Sequence, residues 1–145
     1  MKQIMVATDG SESAGRAVDV AVELAKLGGG TLHVVNVATD IPEGILDELT
    51  RTPSMEKFIG DAIDQHSKQI LMRAREQALA KGLKAVQTQQ LWGDAAQTIL
   101  DASRSLKADA IVVGRRGCGR FAALLLGSVS QKVASLSPSV VVVVP

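Results

Sequence analysis

Four short stretches of this chain are almost continuously aliphatic, and they constrain the fold more than any other feature. They are Gln3 to Thr8, Thr31 to Val37, Ala110 to Val113, and Ser139 to Val144, the last with five consecutive valines. A strand with one wet face alternates apolar and polar residues, whereas a strand covered on both faces reads as an unbroken apolar run. The pattern therefore predicts parallel strands inside a sheet with helices on both sides. A fifth run, Lys84 to Leu91, sets Val86, Thr88 and Gln90 against Gln87, Gln89 and Leu91. That alternation predicts an edge strand.

Helical spacing fills the intervals. Ala14, Ala17, Val18, Ala21, Leu24 and Ala25 share one face of a segment from Ser13 to Lys26, which stops at Gly28-Gly29-Gly30. A second segment, Phe58 to Lys81, places Ile59, Ile63, Ile70, Ala74 and Ala78 on one face and ends at Gly82. Asp94 is the expected N-cap of a third helix reaching about Lys107, and Ser128 of a fourth reaching about Leu136. The whole reads as a single-domain α/β, Rossmann-like fold over residues 1–145. The stretch from Ala38 to His66 stands apart as a long acidic connection, with seven acids against Arg51 and Lys57, and a loop of that length is a lid or a disordered segment.

With Phe 2, Trp 1 and Tyr 0, the core must be aliphatic and alanine-rich. Cys118 is the one cysteine, so no intrachain disulfide forms. No apolar run approaches the length of about 18 residues needed for a membrane span, no leader opens the chain, and a cytoplasmic protein without membrane insertion is expected. Charge is unevenly placed. All 15 acids lie at or before Asp109, so residues 110–145 carry +4 and the preceding residues −3. A cationic C-terminal quarter in a near-neutral protein suits a small anionic ligand more than nucleic acid, whose binding domains usually show a basic stripe with interleaved aromatics.

The cations gather in one segment, Val113-Gly114-Arg115-Arg116-Gly117-Cys118-Gly119-Arg120, followed after Leu126 by Gly127-Ser128-Val129-Ser130. It joins the end of a buried strand to the start of a helix. Glycines permit close backbone approach, the amides of Ser128, Val129 and Ser130 open a helix whose dipole favours anions, and hydroxyls and guanidiniums suit phosphate oxygens. A single glycine or arginine here would be turn punctuation or a solvated charge; four glycines and three arginines in one strand-to-helix loop outline a polyphosphate cradle. GxxxxGK[ST] is missing. Gly117 to Ala122 matches GxGxxA by letter but lacks an acid about 20 residues on, where the valine strand falls. Asp9 opens either an ordinary Asp-Gly turn or a ligand contact. His33 and His66 lack partners at zinc-ligand spacing and read as structural, Trp92 reads as packing, and Cys118 lies among three arginines that favour thiolate, or is incidental. No nucleophile and base are paired at any known motif spacing, and no catalytic residue is assigned.

The spacing Gly114-x2-Gly117-x9-Gly127-Ser128 resembles the nucleotide motif of the universal stress protein family. Val6-Ala7-Thr8-Asp9-Gly10-Ser11 is similar to that family's first strand and loop, Leu32 to Val35 to its second strand, and Pro138 to Val144 to its last. The resemblance implies an adenine nucleotide α-hydrolase-like sheet of order 3-2-1-4-5 that binds ATP, or AMP or ADP, with Mg²⁺, and a homodimer joined through Val140 to Val144. It implies further that Val34 meets the adenine edge through its backbone and that Ala7 lies beside the base. Asp9 would reach the ribose or a metal-phosphate group, Gly114 to Gly117 would follow the ribose and phosphates, and Gly127, Ser128, Val129 and Ser130 would hold the phosphates. Arg115, Arg116 and Arg120 have open partners. The function expected is a nucleotide-binding regulator of the stress response or of a protein partner such as a transporter. Slow ATP hydrolysis or autophosphorylation is compatible with it, and the rivals are a nucleotide-hydrolysing or nucleotidyl-transferring enzyme and a nucleotide-free interaction module.

Overall fold

A computed structural model describes residues 1–39, 52–115 and 126–145. In chain order these form β1 (Gln3–Ala7), α1 (Glu12–Gly28), β2 (Thr31–Ala38), α2 (Pro53–Ala80), β3 (Val86–Trp92), α3 (Ala95–Ser105), β4 (Ala110–Gly114), α4 (Ser128–Leu136) and β5 (Val140–Val144). The strands make one parallel sheet of order β3-β2-β1-β4-β5. The alternating run Val86–Trp92 forms one edge and the valine run the other.

Register explains why the inner runs are apolar throughout. Val6 stands beside Val34 on one side and Val112 on the other, and Met5 beside His33 and Ile111. Ile4, Val6, Leu32, Val34, Ala110 and Val112 face α1 and α2, where Ala17, Val18, Ala21, Val22, Leu71, Ala74 and Ala78 cover them. Met5, Val35, Ile111 and Val113 face the opposite way, onto Ala96, Ile99 and Leu100 of α3 and Val133 of α4. Alanines let α1 lie close to the sheet, and the largest fully buried side chains are aliphatic. The described aromatics lie outside the core, with Phe58 68% and Trp92 45% exposed. Trp92 thus does less packing than the sequence suggested, because it ends an edge strand.

The glycine stop after α1 has two causes. Gly29 caps the helix in the left-handed region at φ 59°. Gly30 is required by contact, since a Cβ there would press on the Lys2 carbonyl, its carbon 2.8 Å away.

Several boundaries differ from the sequence reading. The second helix begins at Pro53, five residues before Phe58. Thr52 caps it by accepting from the Met55 amide, and proline at the first turn suits a helix start. Apolar periodicity missed this start because residues 53–58 are all exposed. The later part of the acidic 38–66 connection is therefore helix, while 40–51 lies outside the described residues. β3 runs Val86–Trp92 where Lys84 to Leu91 was expected, and α3 stops at Ser105. Gly127, not Ser128, is the N-cap of α4.

Asp109 ties the start of β4 to β1. Its Oδ2 accepts from the Lys2 and Gln3 amides at 2.7 and 2.8 Å, and those bonds, Gln3's first, hold its carboxyl below the usual carboxylate range. Asp64 is lowered likewise by Lys68 and by Gln90 of β3. His33 is buried, its Nε2 2.6 Å from Gln3 Oε1, and burial pushes its pKa below the ordinary 6.5. The unfolded chain therefore takes up this proton first, and stability falls as pH drops below 6.5. Urea denaturation at pH 7.5 and 5.5 should show a lower midpoint at pH 5.5, and His33→Gln should flatten that difference; an equal decline in both proteins would show that His33 is not its source.

Candidate functional site

The sheet order reverses between β1 and β4: the chain leaves β1 toward β2 and leaves β4 toward β5. Ligands of open parallel sheets lie outside the carboxyl ends of the strands at such a switch point. Ala7 ends β1 and Gly114 ends β4, and the starts of α1 and α4 face the same edge.

Beyond Ala7 the chain forms a tight loop. Thr8 donates its amide to Val35 O at 2.9 Å, Gly10 donates to Thr8 Oγ1 at 3.2 Å, and Ser11 donates to Asp9 Oδ1 at 2.9 Å. Gly10 takes φ +82°, which an L side chain rarely adopts. Asp9 is exposed and, accepting from Ser11 N, forms an Asx turn, the ordinary turn that its sequence allows. Ser11 then caps α1, accepting from Ala14 N at 3.3 Å.

Gly114 has a structural reason of its own. A Cβ there would collide with Ser13 Oγ and lie 2.9 Å from Ala14 N. The first turn of α1 is seated directly against the end of β4, a contact between residues about a hundred positions apart.

Arg115 is held by its backbone at both groups. Its amide donates to Val144 O at 2.6 Å, and its carbonyl accepts from Gly127 N at 2.6 Å and from Ser130 Oγ at 2.9 Å. Its side-chain Nε is buried and has no hydrogen-bond partner among the described residues. The Ser130 hydroxyl, also 3.0 Å from Gly127 O, closes the turn into α4. Its proton is therefore committed to the turn, leaving the backbone amide as its donor toward an anion.

The helix starts are not equivalent. Side chains of Ser11, Thr52 and Asp94 cap α1, α2 and α3, but Gly127 offers α4 none, and the first turn of α4 carries no acid. The amides of its first turn and its dipole thus present positive charge next to the Arg115 backbone. Ser128 is exposed and Val129 half-buried at this start.

The fold brings Ala7, Asp9, Gly114, Arg115, Gly127, Ser128, Val129 and Ser130 to one edge. Val34 is set apart: it is fully buried in mid-strand, paired with Val6 and Thr88, with Ala38 ending its strand. Arg116, Gly117, Cys118 and Arg120 lie outside the described residues. Two polar residues beneath the loop, Asn36 and Ser67, were not singled out from the sequence. Asn36 interrupts an apolar strand, which was the available signal; Ser67 gave none. No cluster of three or more His, Cys, Asp or Glu able to hold a metal occurs among the described residues, and none of their helices is long and apolar enough to cross a membrane.

A profile of the universal stress protein family matches residues 1–145. The chain is 36% identical over 143 residues to a universal stress protein of Thermus aquaticus, covering 99% of this chain and 98% of that one. It is 34% identical over 147 residues to the universal stress protein YxiE of Bacillus subtilis, covering 98% and 97%. Among solved structures, a universal stress protein in complex with cAMP superposes with a TM-score of 0.74 at 29% identity, covering 99% of this chain and 97% of that chain. With its parallel 3-2-1-4-5 sheet, the chain belongs to the universal stress protein family.

Proposed function

We propose that this protein binds an adenine nucleotide, ATP with Mg²⁺ foremost, at the β1/β4 edge and acts in the cytoplasm as a regulator whose state reports that nucleotide, toward a stress response or a partner such as a transporter. The observation that carries the reading is the start of α4, without a side-chain cap, bonded to the carbonyl of Arg115, whose Nε is buried and has no hydrogen-bond partner among the described residues. Those groups suit phosphate oxygens. The relative in complex with cAMP supports an adenine nucleotide as the ligand class. In this reading Ser128, Val129 and Ser130 offer backbone amides to phosphates, Arg115 neutralises charge, Ala7 borders the base and Asp9 faces the ribose or a phosphate-bound Mg²⁺. Arg116, Gly117 and Arg120 complete the loop. Mg²⁺ supplies charge neutralisation of the polyphosphate.

Calorimetry with ATP and AMP tests it. The unmodified protein should bind both, and Arg115→Ala should weaken ATP by about tenfold or more and AMP by less, because a charge-assisted bond counts only where its partner exists. No binding of either nucleotide would overturn the function; equal loss of both would remove Arg115 from the distal phosphates.

The assembly expected is a homodimer through β5. Val140 is 51% exposed, Val141, Val142 and Val143 are half-buried, and the strand lies at the sheet edge with no charge to interrupt it. An open apolar edge invites pairing, and a second β5 across a two-fold axis would satisfy it. Light scattering at micromolar concentration should give the dimer mass, and a monomeric mass would end this reading.

A further inference from the structure

The loop that carries Asp9 rests on α2 through a buried polar chain. Asn36 Nδ2 donates to the Thr8 carbonyl at 2.7 Å, and Asn36 Oδ1 accepts from Ser67 Oγ at 2.6 Å. Thr8, Asn36 and Ser67 are 7%, 5% and 2% exposed, so water cannot replace a lost partner. One helical turn on, Ile70 packs under Gly10: a Cβ on that glycine would lie 3.2 Å from Ile70 Cγ1. Two successive turns of α2 thus seat the loop, one by hydrogen bonds and one by apolar contact. The same helix is fastened to α1 further along, where Gln77 Nε2 donates to Gly15 O and Asp19 Oδ1 at 2.9 and 2.6 Å.

We propose that Asn36 and Ser67 are positioning residues that make the placement of α2 set the conformation of the Thr8–Ser11 loop, and through it the affinity for the nucleoside part of the ligand. The proposal rests on the nucleotide-binding reading and deepens it. Neither residue touches ligand; each acts through the Thr8 carbonyl. A displacement of α2 reaches Asp9 along Ser67, Asn36 and Thr8, all of which lie in the core where packing does not deform smoothly. The chain gives α2 a means of being displaced, since about 42 Å of helix has fully buried side chains only from Ser67 onward, with half-buried Ile59 and Ile63 before it and exposed Met55 and Phe58 at its start.

Asn36→Asp and Ser67→Ala test the two links separately. In the first, aspartate still accepts from Ser67 but opposes the Thr8 carbonyl with an oxygen; in the second, the Asn36 to Thr8 bond survives without its support. Ser139→Ala is the control, because its hydroxyl donates to Ala108 O at the other end of the sheet, 3.0 Å away. Amide exchange is followed without ligand, and adenosine, AMP and ATP are then titrated by calorimetry. Both relay variants should speed exchange of the Gly10 and Ser11 amides by about tenfold and weaken adenosine, AMP and ATP by a common factor of about tenfold, with circular dichroism unchanged and the control as wild type. Wild-type exchange and binding in both variants would overturn the proposal, as would losses confined to AMP and ATP. If the unmodified protein binds none of the three, the functional reading falls, and the exchange rates alone still decide whether Asn36 and Ser67 hold the loop.

Discussion

Replacing Gly127 by aspartate should make the protein more stable and nearly abolish ATP binding. Gly127 has φ −70° and ψ 163°, a conformation open to any residue, and it is the N-cap of α4. Aspartate there would accept from the amides of Val129 or Ser130 and complement the helix dipole, a gain of about 0.5 kcal/mol over glycine. The same carboxylate occupies the donors that the proposed site reserves for phosphate and adds a like charge beside it. Loss of two such bonds weakens ATP by about a hundredfold. Opposite signs for stability and binding separate this outcome from simple damage to the fold. Thermal melts and calorimetry on Gly127→Asp and Gly127→Ala check it, with alanine expected to retain most of the affinity. Undiminished ATP binding by the aspartate variant would mean that α4 does not hold the phosphates.

What the sequence revealed and what it hid divide along a physical line. Continuous apolar runs such as Ala110 to Val113 are legible because burial on both faces acts on every residue of the strand, so the pattern is local. The edge position of Val86–Trp92 was legible for the converse reason. Helix starts were harder. Thr52-Pro53 carries a sound start signal, yet residues 53–58 are all exposed, and apolar periodicity cannot register a turn that buries no side chain. Ser128 is a better capping residue than Gly127 by propensity, but the Arg115 carbonyl accepts from the Gly127 amide and the Ser130 hydroxyl, which fixes the turn one residue earlier. Around the site, the glycine and arginine spacing was visible. The pairing of Asn36 with Ser67 was not, because 31 residues separate them and neither has a spacing rule that points to the other.

Gly114 illustrates that line and carries the largest expected effect on stability. In the sequence it belongs to the glycine spacing, which suggests room for ligand. In the structure its missing Cβ is room for α1: the added carbon of Gly114→Ala would meet Ser13 Oγ and lie 2.9 Å from both Ala14 N and Ser13 C. The two backbone atoms cannot move without shifting the first turn of α1 off β4. Overpacking of this kind costs about 3 kcal/mol. Because that turn follows directly from the Asp9 loop, nucleotide affinity should fall as well. The two readings of Gly114 differ in the protein without ligand. If the glycine serves ligand approach alone, Gly114→Ala should unfold at the wild-type urea concentration and differ only in binding. If it serves packing, the midpoint should drop steeply with no nucleotide present. Pairing it with Ser13→Ala removes the nearest clash and leaves the backbone contacts, so the double variant should recover part of the loss, about 1 kcal/mol of coupling in a double-mutant cycle. An unchanged midpoint for Gly114→Ala would show that α1 does not depend on this glycine.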